Sequence, residues 1–294
     1  MTAASALTSL LRDPLAELWQ GHVLRVFPRR TNMTPTDSMA FIGDPPLERP
    51  PADCVLVSCT FTWDRTEAER LAMAWSQYYP DVQLGGPAFG DPGETFTPGL
   101  FVRKGWVFTS RGCPHECPWC FVPKREGKIR ELPIVEGWNI QDNNLLGCSK
   151  PHIRAVFDMC RHQRRAVRFI GGFEAAVLDD WVVEELRGLR IAEVWLSCDH
   201  DGAIHGLRRA VAKLSWLPRD RLRCYVMLGY DGETLRQAQD RLLGVWEAGC
   251  LPFAQLYRDE ADSIRWPWEW RNLARLWSRP AATKAIAAKL LAKP

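Results

Sequence analysis

Cys113, Cys117 and Cys120 stand in the run Arg111-Gly-Cys-Pro-His-Glu-Cys-Pro-Trp-Cys120, a C-x3-C-x2-C spacing. Cysteine thiolates are the protein ligands of iron–sulfur clusters. Three of them on one short loop can hold three corners of a cubane [4Fe-4S] cluster and leave its fourth iron open to another ligand. A cluster held by four cysteines is an electron carrier, whereas one held by three is a reagent. Pro114 and Pro118 forbid regular structure through the loop, which lets the three sulfurs converge. The rival chemistry is a structural zinc site with His115 or a distant cysteine as fourth ligand. Such sites are usually built from two C-x2-C half-sites or from Cys/His pairs, and Cys117/Cys120 is the only C-x2-C pair in the chain.

The elements around the loop suit a parallel α/β fold. Residues 105–110, Gly-Trp-Val-Phe-Thr-Ser, read as a short buried strand. The cysteine loop then follows the carboxyl end of a strand, where such folds place their ligands. Downstream, strands are expected at 168–171, 193–197, 223–228 and 251–256. Helical patterns fall at 153–165, 180–189, 203–214 and 234–248, with Ser149 as a cap before the first and Gly249 just past the last. This alternation implies a parallel sheet with right-handed crossovers. Upstream, residues 1–21 read as an amphipathic helix, 22–27 as a strand and 28–52 as a surface loop. A βαβ unit follows, with a strand at 54–58, a D-x-x-E helix start at Asp64 and Glu67, and a strand at 82–84 ending in Gly85-Gly86-Pro87.

The cysteine spacing resembles the signature of the radical S-adenosylmethionine (SAM) superfamily. That resemblance implies that the open iron takes the amino and carboxylate groups of SAM. It also implies an external electron donor of flavodoxin or ferredoxin type, and a 5′-deoxyadenosyl radical that abstracts hydrogen from a substrate. In that pattern Trp119 lies near the adenine. Gly171-Gly172-Phe-Glu174 is similar to the G-G-E turn that binds the amino group of SAM, with Phe173 inserted before the acid. The run Cys224-Tyr-Val-Met-Leu-Gly-Tyr-Asp-Gly-Glu-Thr234 resembles the G-x-P-G-E-T segment of the cobalamin-type branch, with Asp231 in place of proline, and implies that Gly229 approaches adenine or ribose. In Ser197-Cys-Asp-His-Asp201, Asp199 is a candidate for the ribose hydroxyls, and Cys198 or His200 for giving or taking a proton or hydrogen atom. Each of these runs also has a reading without a ligand: Trp119 as a core residue, Glu174 in a strand-end turn, Asp199 and Thr234 in loop and cap chemistry.

The resemblance implies a partial (β/α)6 barrel over residues 101–258. A small degenerate flavodoxin-like α/β region at 1–100 would precede it, and a helical segment at 259–294, a lid or a packing helix, would follow. The first region resembles the cobalamin-binding domain of many relatives, but the D-x-H-x-x-G run that ligates cobalt is missing. Cobalamin is therefore not expected.

Bulk properties narrow the classes further. The chain has 294 residues, 46% hydrophobic and 25% charged, as in an ordinary globular protein. Its net charge of +3 does not by itself argue for nucleic acid. Basic residues do cluster at Arg161-His-Gln-Arg-Arg165 and at Lys124, Arg125 and Arg130. A small-molecule substrate is favoured over a polynucleotide. No run of 18 apolar residues suggests a membrane span. No signal peptide is read at the N-terminus, and ten cysteines in a chain of this length suggest reduced thiols and a cytoplasmic location. The seven cysteines outside the triplet follow no second motif. Two alternatives remain: an iron–sulfur electron-transfer or redox protein without SAM turnover, and a zinc-stabilised nucleic-acid-binding module.

Overall fold

The computed structural model describes residues 23–91 and 93–292. The chain divides into two compact units, Met1–Trp106 and Val107–Pro294. The expected amphipathic helix at 1–21 lies outside the described residues.

The first unit carries a four-stranded sheet of β1 (Val23–Phe27), β2 (Ala40–Ile42), β3 (Cys54–Ser58) and β4 (Val82–Gly85), with all pairs parallel and in the order β2-β1-β3-β4. β1 and β3 read as near-continuous apolar runs, as strands covered on both faces do. Leu24, Val26, Val55 and Val57 are buried with Leu71 and Trp75 of α1 (Arg65–Ser76). β2 falls inside the stretch expected to be loop; three residues of half-buried strand give too short a pattern to read. Asp64 does precede α1, but its side chain makes no capping bond. The carboxylate is buried and paired with Arg29 instead.

The second unit continues with β5 (Trp106–Val107), which begins at the unit boundary, and β6 (Ser110–Arg111), α2 (Val122–Arg125), β7 (Arg130–Glu131) and β8 (Asn139–Ile140). Then helix and strand alternate: α3 (Lys150–Arg161), β9 (Val167–Phe173), α4 (Asp180–Arg187), β10 (Ile191–Ser197), α5 (Ile204–Lys213), β11 (Leu222–Leu228), α6 (Leu235–Glu247) and β12 (Leu251–Leu256). The chain closes on α7 (Trp268–Trp277) and α8 (Pro280–Leu291). The six-stranded sheet runs β12-β11-β10-β9-β8-β5, and the pairs from β8 to β12 are parallel. Neighbours in sequence are thus neighbours in the sheet. Because βαβ crossovers are right-handed, this order sends α3 to α6 to one face.

The single strand expected at 105–110 is two pieces. Val107 stays in the large sheet, accepting from Gln141 N–H at 2.9 Å, while Ser110 and Arg111 leave it to pair antiparallel with β7. Thr109 makes the break, its N–H and hydroxyl both turned to the buried Asp142 carboxylate. The helices follow the pattern read from sequence. α3 buries Ile153, Val156, Phe157 and Cys160, one stripe at helical spacing. Ser149 caps it, and Thr234 with Gln237 forms a reciprocal capping box on α6. Gly249 ends α6 with φ +104°, the left-handed stop that glycine supplies. The segment 259–294 belongs to the second unit, where α7 packs on β12, Trp277 is fully buried and Ser278 Oγ donates to the Ala254 carbonyl at 2.8 Å. Among the described residues no helix is long and apolar enough to cross a membrane.

Candidate functional site

The cysteine loop hangs from the β6–β7 ribbon and is fastened at its base. Gly112 adopts φ +81°, and a Cβ there would meet the Lys128 carbonyl oxygen at 2.2 Å, so only glycine lets the two edges of the loop approach. Cys113 N–H donates to the Gly127 carbonyl at 3.2 Å, and Cys120 N–H to the Cys117 carbonyl at 3.0 Å. Glu126 ties the base together. It pairs with Arg111 at 3.0 Å, accepts from Gly112 N–H at 3.2 Å and takes the Asn143 amide. Sequence reading missed Glu126, because in Lys124-Arg-Glu-Gly-Lys128 it looks like one charge in a solvated run.

All three cysteines of the triplet are free and partly exposed. Burial raises the thiol pKa of Cys117, and Cys113, Asp199 and Glu174 raise it further by their negative charge. Cys120 is raised by burial first and then by Cys117, Cys113 and Asp199. The three thiols, Glu174 and Asp199 therefore share one electrostatic neighbourhood. Among the described residues no three His, Cys, Asp or Glu side chains are close enough to grip a single metal ion. His115, the local fourth ligand of the zinc alternative, instead bonds Glu174 Oε2 through Nε2 at 2.7 Å.

Each remaining group arrives from the carboxyl end of a successive parallel strand. Asn144 follows β8, Glu174 follows β9, Asp199 and His200 follow β10, and Gly229 follows β11. Asn144 Nδ2 donates to Glu174 Oε2 at 2.9 Å and lies 3.9 Å from Cys113 Sγ. The two glycines before Glu174 do different things. A Cβ on Gly171 would sit 1.7 Å from the Asp142 carbonyl oxygen, so its bareness lets two backbone segments cross. Gly172, at φ +108°, has open space where its Cβ would be. Asp142 accepts from Thr109 N–H at 2.6 Å and Ser110 Oγ at 2.9 Å, and burial holds its carboxyl above the usual carboxylate range.

Trp119 packs beside His200 and Tyr230, with ring centroids 5.7 and 5.6 Å away, and Tyr230 continues to Tyr257 at 5.0 Å. Asp199 accepts from Met227 N–H at 3.1 Å, and burial raises its carboxyl pKa. Two of the expected residues are enclosed by protein groups. Cys198 is fully buried, its thiol pushed up to about 12 by desolvation and turned to the His200 carbonyl, so it is not placed to exchange a proton or hydrogen atom with a substrate. Gly229, at φ +80°, does permit a close approach, but the group it admits is the Trp266 ring, which a Cβ would strike at 2.1 Å. Its N–H donates to Glu233 at 2.6 Å, and Glu233 forms a buried pair with Arg241 at 2.5 Å. Arg241 also reaches Asp201 and donates to the Met227 carbonyl.

The basic groups noted in the sequence are largely engaged. Arg161 pairs with Asp158 and Glu185, Lys124 lies 3.9 Å from Glu260, and Arg125 and Arg165 cover Phe121 and Trp138. No protein-family model matches this chain, and none of the curated proteins matches it.

Proposed function

We propose that this protein is a radical SAM enzyme, acting on a small molecule and drawing its electron from an external donor of flavodoxin or ferredoxin type. The observation that carries the reading is that the C-x3-C-x2-C loop meets the carboxyl ends of consecutive parallel strands, through His115 on Glu174, Asn144 beside Cys113 and Trp119 beside His200, the residue after Asp199. That is the ligand-binding end of such sheets. The sequential strand order supports a partial barrel, and the parallel β2-β1-β3-β4 order of the first unit supports a reduced flavodoxin-like region.

The donor set fits a cubane cluster. Three partly exposed thiols stand on one clamped loop, an amide N–H lies near Cys113 Sγ, and the buried Asn144 Oδ1 has no partner. Cys113, Cys117 and Cys120 would hold the cluster, and with SAM bound it would supply a 5′-deoxyadenosyl radical for hydrogen abstraction. Glu174 offers a carboxylate as acceptor to the N–H groups of the amino group. Asp199, fixed by Met227 N–H, offers an acceptor to hydroxyls. Trp119, Tyr230 and Tyr257 form a partly exposed row of aromatic rings that offers its faces to a planar base. A cluster of this kind belongs in a reducing compartment, in line with a cytoplasmic site of action.

The test is anaerobic reconstitution with iron and sulfide, reduction, addition of SAM and an assay for 5′-deoxyadenosine beside the Cys117→Ala variant. Product from the wild type alone supports the reading. Zinc bound without labile sulfide, or a cluster that survives Cys117→Ala, overturns it.

A further inference from the structure

The six-stranded sheet has a second end. Leu222 opens β11 and Gly249 stands just before β12, and there the amino ends of the strands meet the last turns of α5 and α6. A cleft of about 410 Å³ lies between these elements. Leu222 and Leu228 bound the seven residues of β11, so at about 3.3 Å per residue the cleft lies roughly 20 Å from the strand ends that carry the proposed site. Nothing in the proposed reaction uses it.

Its lining is mostly apolar, as in pockets that hold one small molecule. Val211, Leu217 and Leu222 are buried beneath it, and Ala212 and Ala248 add to the same surface. Three polar side chains break that surface, Arg208, Ser215 and Arg219, and no acidic one does. Neighbouring cations have acid partners. Lys213 pairs with Asp180 at 2.8 Å, and Lys284 takes Asp220, the residue next to Arg219, at 2.9 Å. Among the described residues Arg208 and Arg219 have no carboxylate within ion-pair distance. Arg219 is held by the Trp246 ring, with Cζ 4.0 Å from its centroid. A guanidinium stacked by its face keeps the N–H groups at its edge free for an oxyanion. The helix dipole does not account for both charges. The end of α5 already has Lys213 in its last turn, whereas Arg208 sits in the middle of that helix.

Two positive charges bordering one cleft repel each other, and a ligand with two negative charges on a compact head turns that repulsion into attraction. A phosphate monoester carries about −1.5 to −2 at neutral pH and has three acceptor oxygens. A monocarboxylate leaves one guanidinium unmatched, and a dicarboxylate has the charge but no apolar end to cover the floor. We infer that this cleft is a second binding site, for a small phosphate monoester with an apolar body. Arg208, Arg219 and the Ser215 hydroxyl hold its head, and Val211, Leu217 and Leu222 receive its body.

The experiment is isothermal titration calorimetry of the full-length protein with phenyl phosphate, inorganic phosphate and benzoate. Phenyl phosphate is expected to bind once per chain, at least tenfold more tightly than inorganic phosphate, which lacks the apolar body. It should exceed benzoate, which lacks the second charge, by a similar factor. Arg208→Gln and Arg219→Gln should each weaken phenyl phosphate about tenfold, the loss of a hydrogen bond to a charged group. Ala212→Phe keeps both charges but fills the cleft, and should abolish binding. Arg208 and Ala212 are exposed, so their variants are expected to fold, which thermal unfolding checks. Arginines that serve only the helix ends would change the unfolding temperature and leave binding alone. Affinity unchanged in the arginine variants, affinity equal to that of inorganic phosphate, or no binding by the wild type overturns the inference. So does a single-stranded oligonucleotide that binds more tightly than phenyl phosphate and is lost in the same variants, because the cleft would then be part of a polynucleotide surface. None of these outcomes touches the function proposed above, which has its own test.

Discussion

Single atoms decide much of the site. Gly171 and Gly172 are adjacent and look equivalent in sequence, yet their surroundings differ completely. A methyl on Gly171 would overlap the Asp142 carbonyl, whereas one on Gly172 meets nothing and suffers only from its positive φ. Gly171→Ala is therefore expected to cost at least about 3 kcal/mol, through forced movement of β8 or β9. Gly172→Ala should cost about 1–2 kcal/mol from backbone conformation alone. Urea titrations of the two variants measure the gap, and equal costs would contradict the packing described. Glu126 is a second such point. Glu126→Gln keeps the shape but removes the charge that holds Arg111, and about 2 kcal/mol of stability should go with it. Iron content after reconstitution should fall in the same variant, because the loop base loosens.

Elements do the holding. The ends of β10 and β11 are tied to α6 by Arg241, whose guanidinium is enclosed with Glu233 and also grips the Met227 carbonyl and Asp201. Breaking a buried pair leaves a stranded charge, which typically costs 3–5 kcal/mol. Arg241→Ala should lose stability of about that size in urea unfolding and, by freeing the backbone at Met227, weaken the seat of Asp199. The cysteine loop carries its own pH dependence. Thiols must lose their protons to bind iron, and burial raises the pKa of Cys117 and Cys120 above the ordinary value. Iron uptake by the apoprotein should therefore rise as pH is raised through neutrality and beyond. Uptake that is flat over that range would argue against these thiols as the ligands.

For the whole molecule, the buried carboxyl of Asp142 couples stability to pH. Its folded-state pKa stands above the ordinary carboxylate value of 3.8 because burial disfavours the charge. Between that ordinary value and the raised one, the native state holds a proton that the unfolded chain has released. Stability from this group is greatest below the window and falls as pH rises through it. The difference in unfolding free energy between wild type and Asp142→Asn, followed from pH 4 upward, should shrink or reverse accordingly. In sequence, Asp142-Asn143-Asn144 after the short apolar piece at 138–140 reads as site residues at a strand end or as a solvated loop, and the burial of Asp142 is not legible there. What could be read was periodic or spaced. The stripe of α3, the cap residues Ser149 and Thr234, the strands β9 to β12 and the cysteine triplet all follow patterns that physics fixes. Asn144, Glu126 and Trp266 act through contacts between distant parts of the chain, and such contacts leave no interval to find. The surroundings of Cys198 and Gly229 were hidden for the same reason: the thiol turns to the His200 carbonyl, and the Trp266 ring lies against Gly229.

The sheet order also bears on how the protein is made. From β8 to β12 each strand pairs with the one synthesised just before it. Every pairing closes a short stretch of chain, so the contacts stay local in sequence and folding of this part should be quick for a parallel sheet. A chain emerging from the ribosome can extend the sheet one strand at a time without undoing earlier pairs. The exception is the last strand. β12 lies at the sheet margin, and the helix that packs on it, with Trp277 at its end, is translated only after the strand itself. A chain that stops short of residue 268 has built its sheet but lacks that helix. Such a product leaves apolar surface beside an open strand edge and should aggregate, so the sheet is safe only once α7 has covered it.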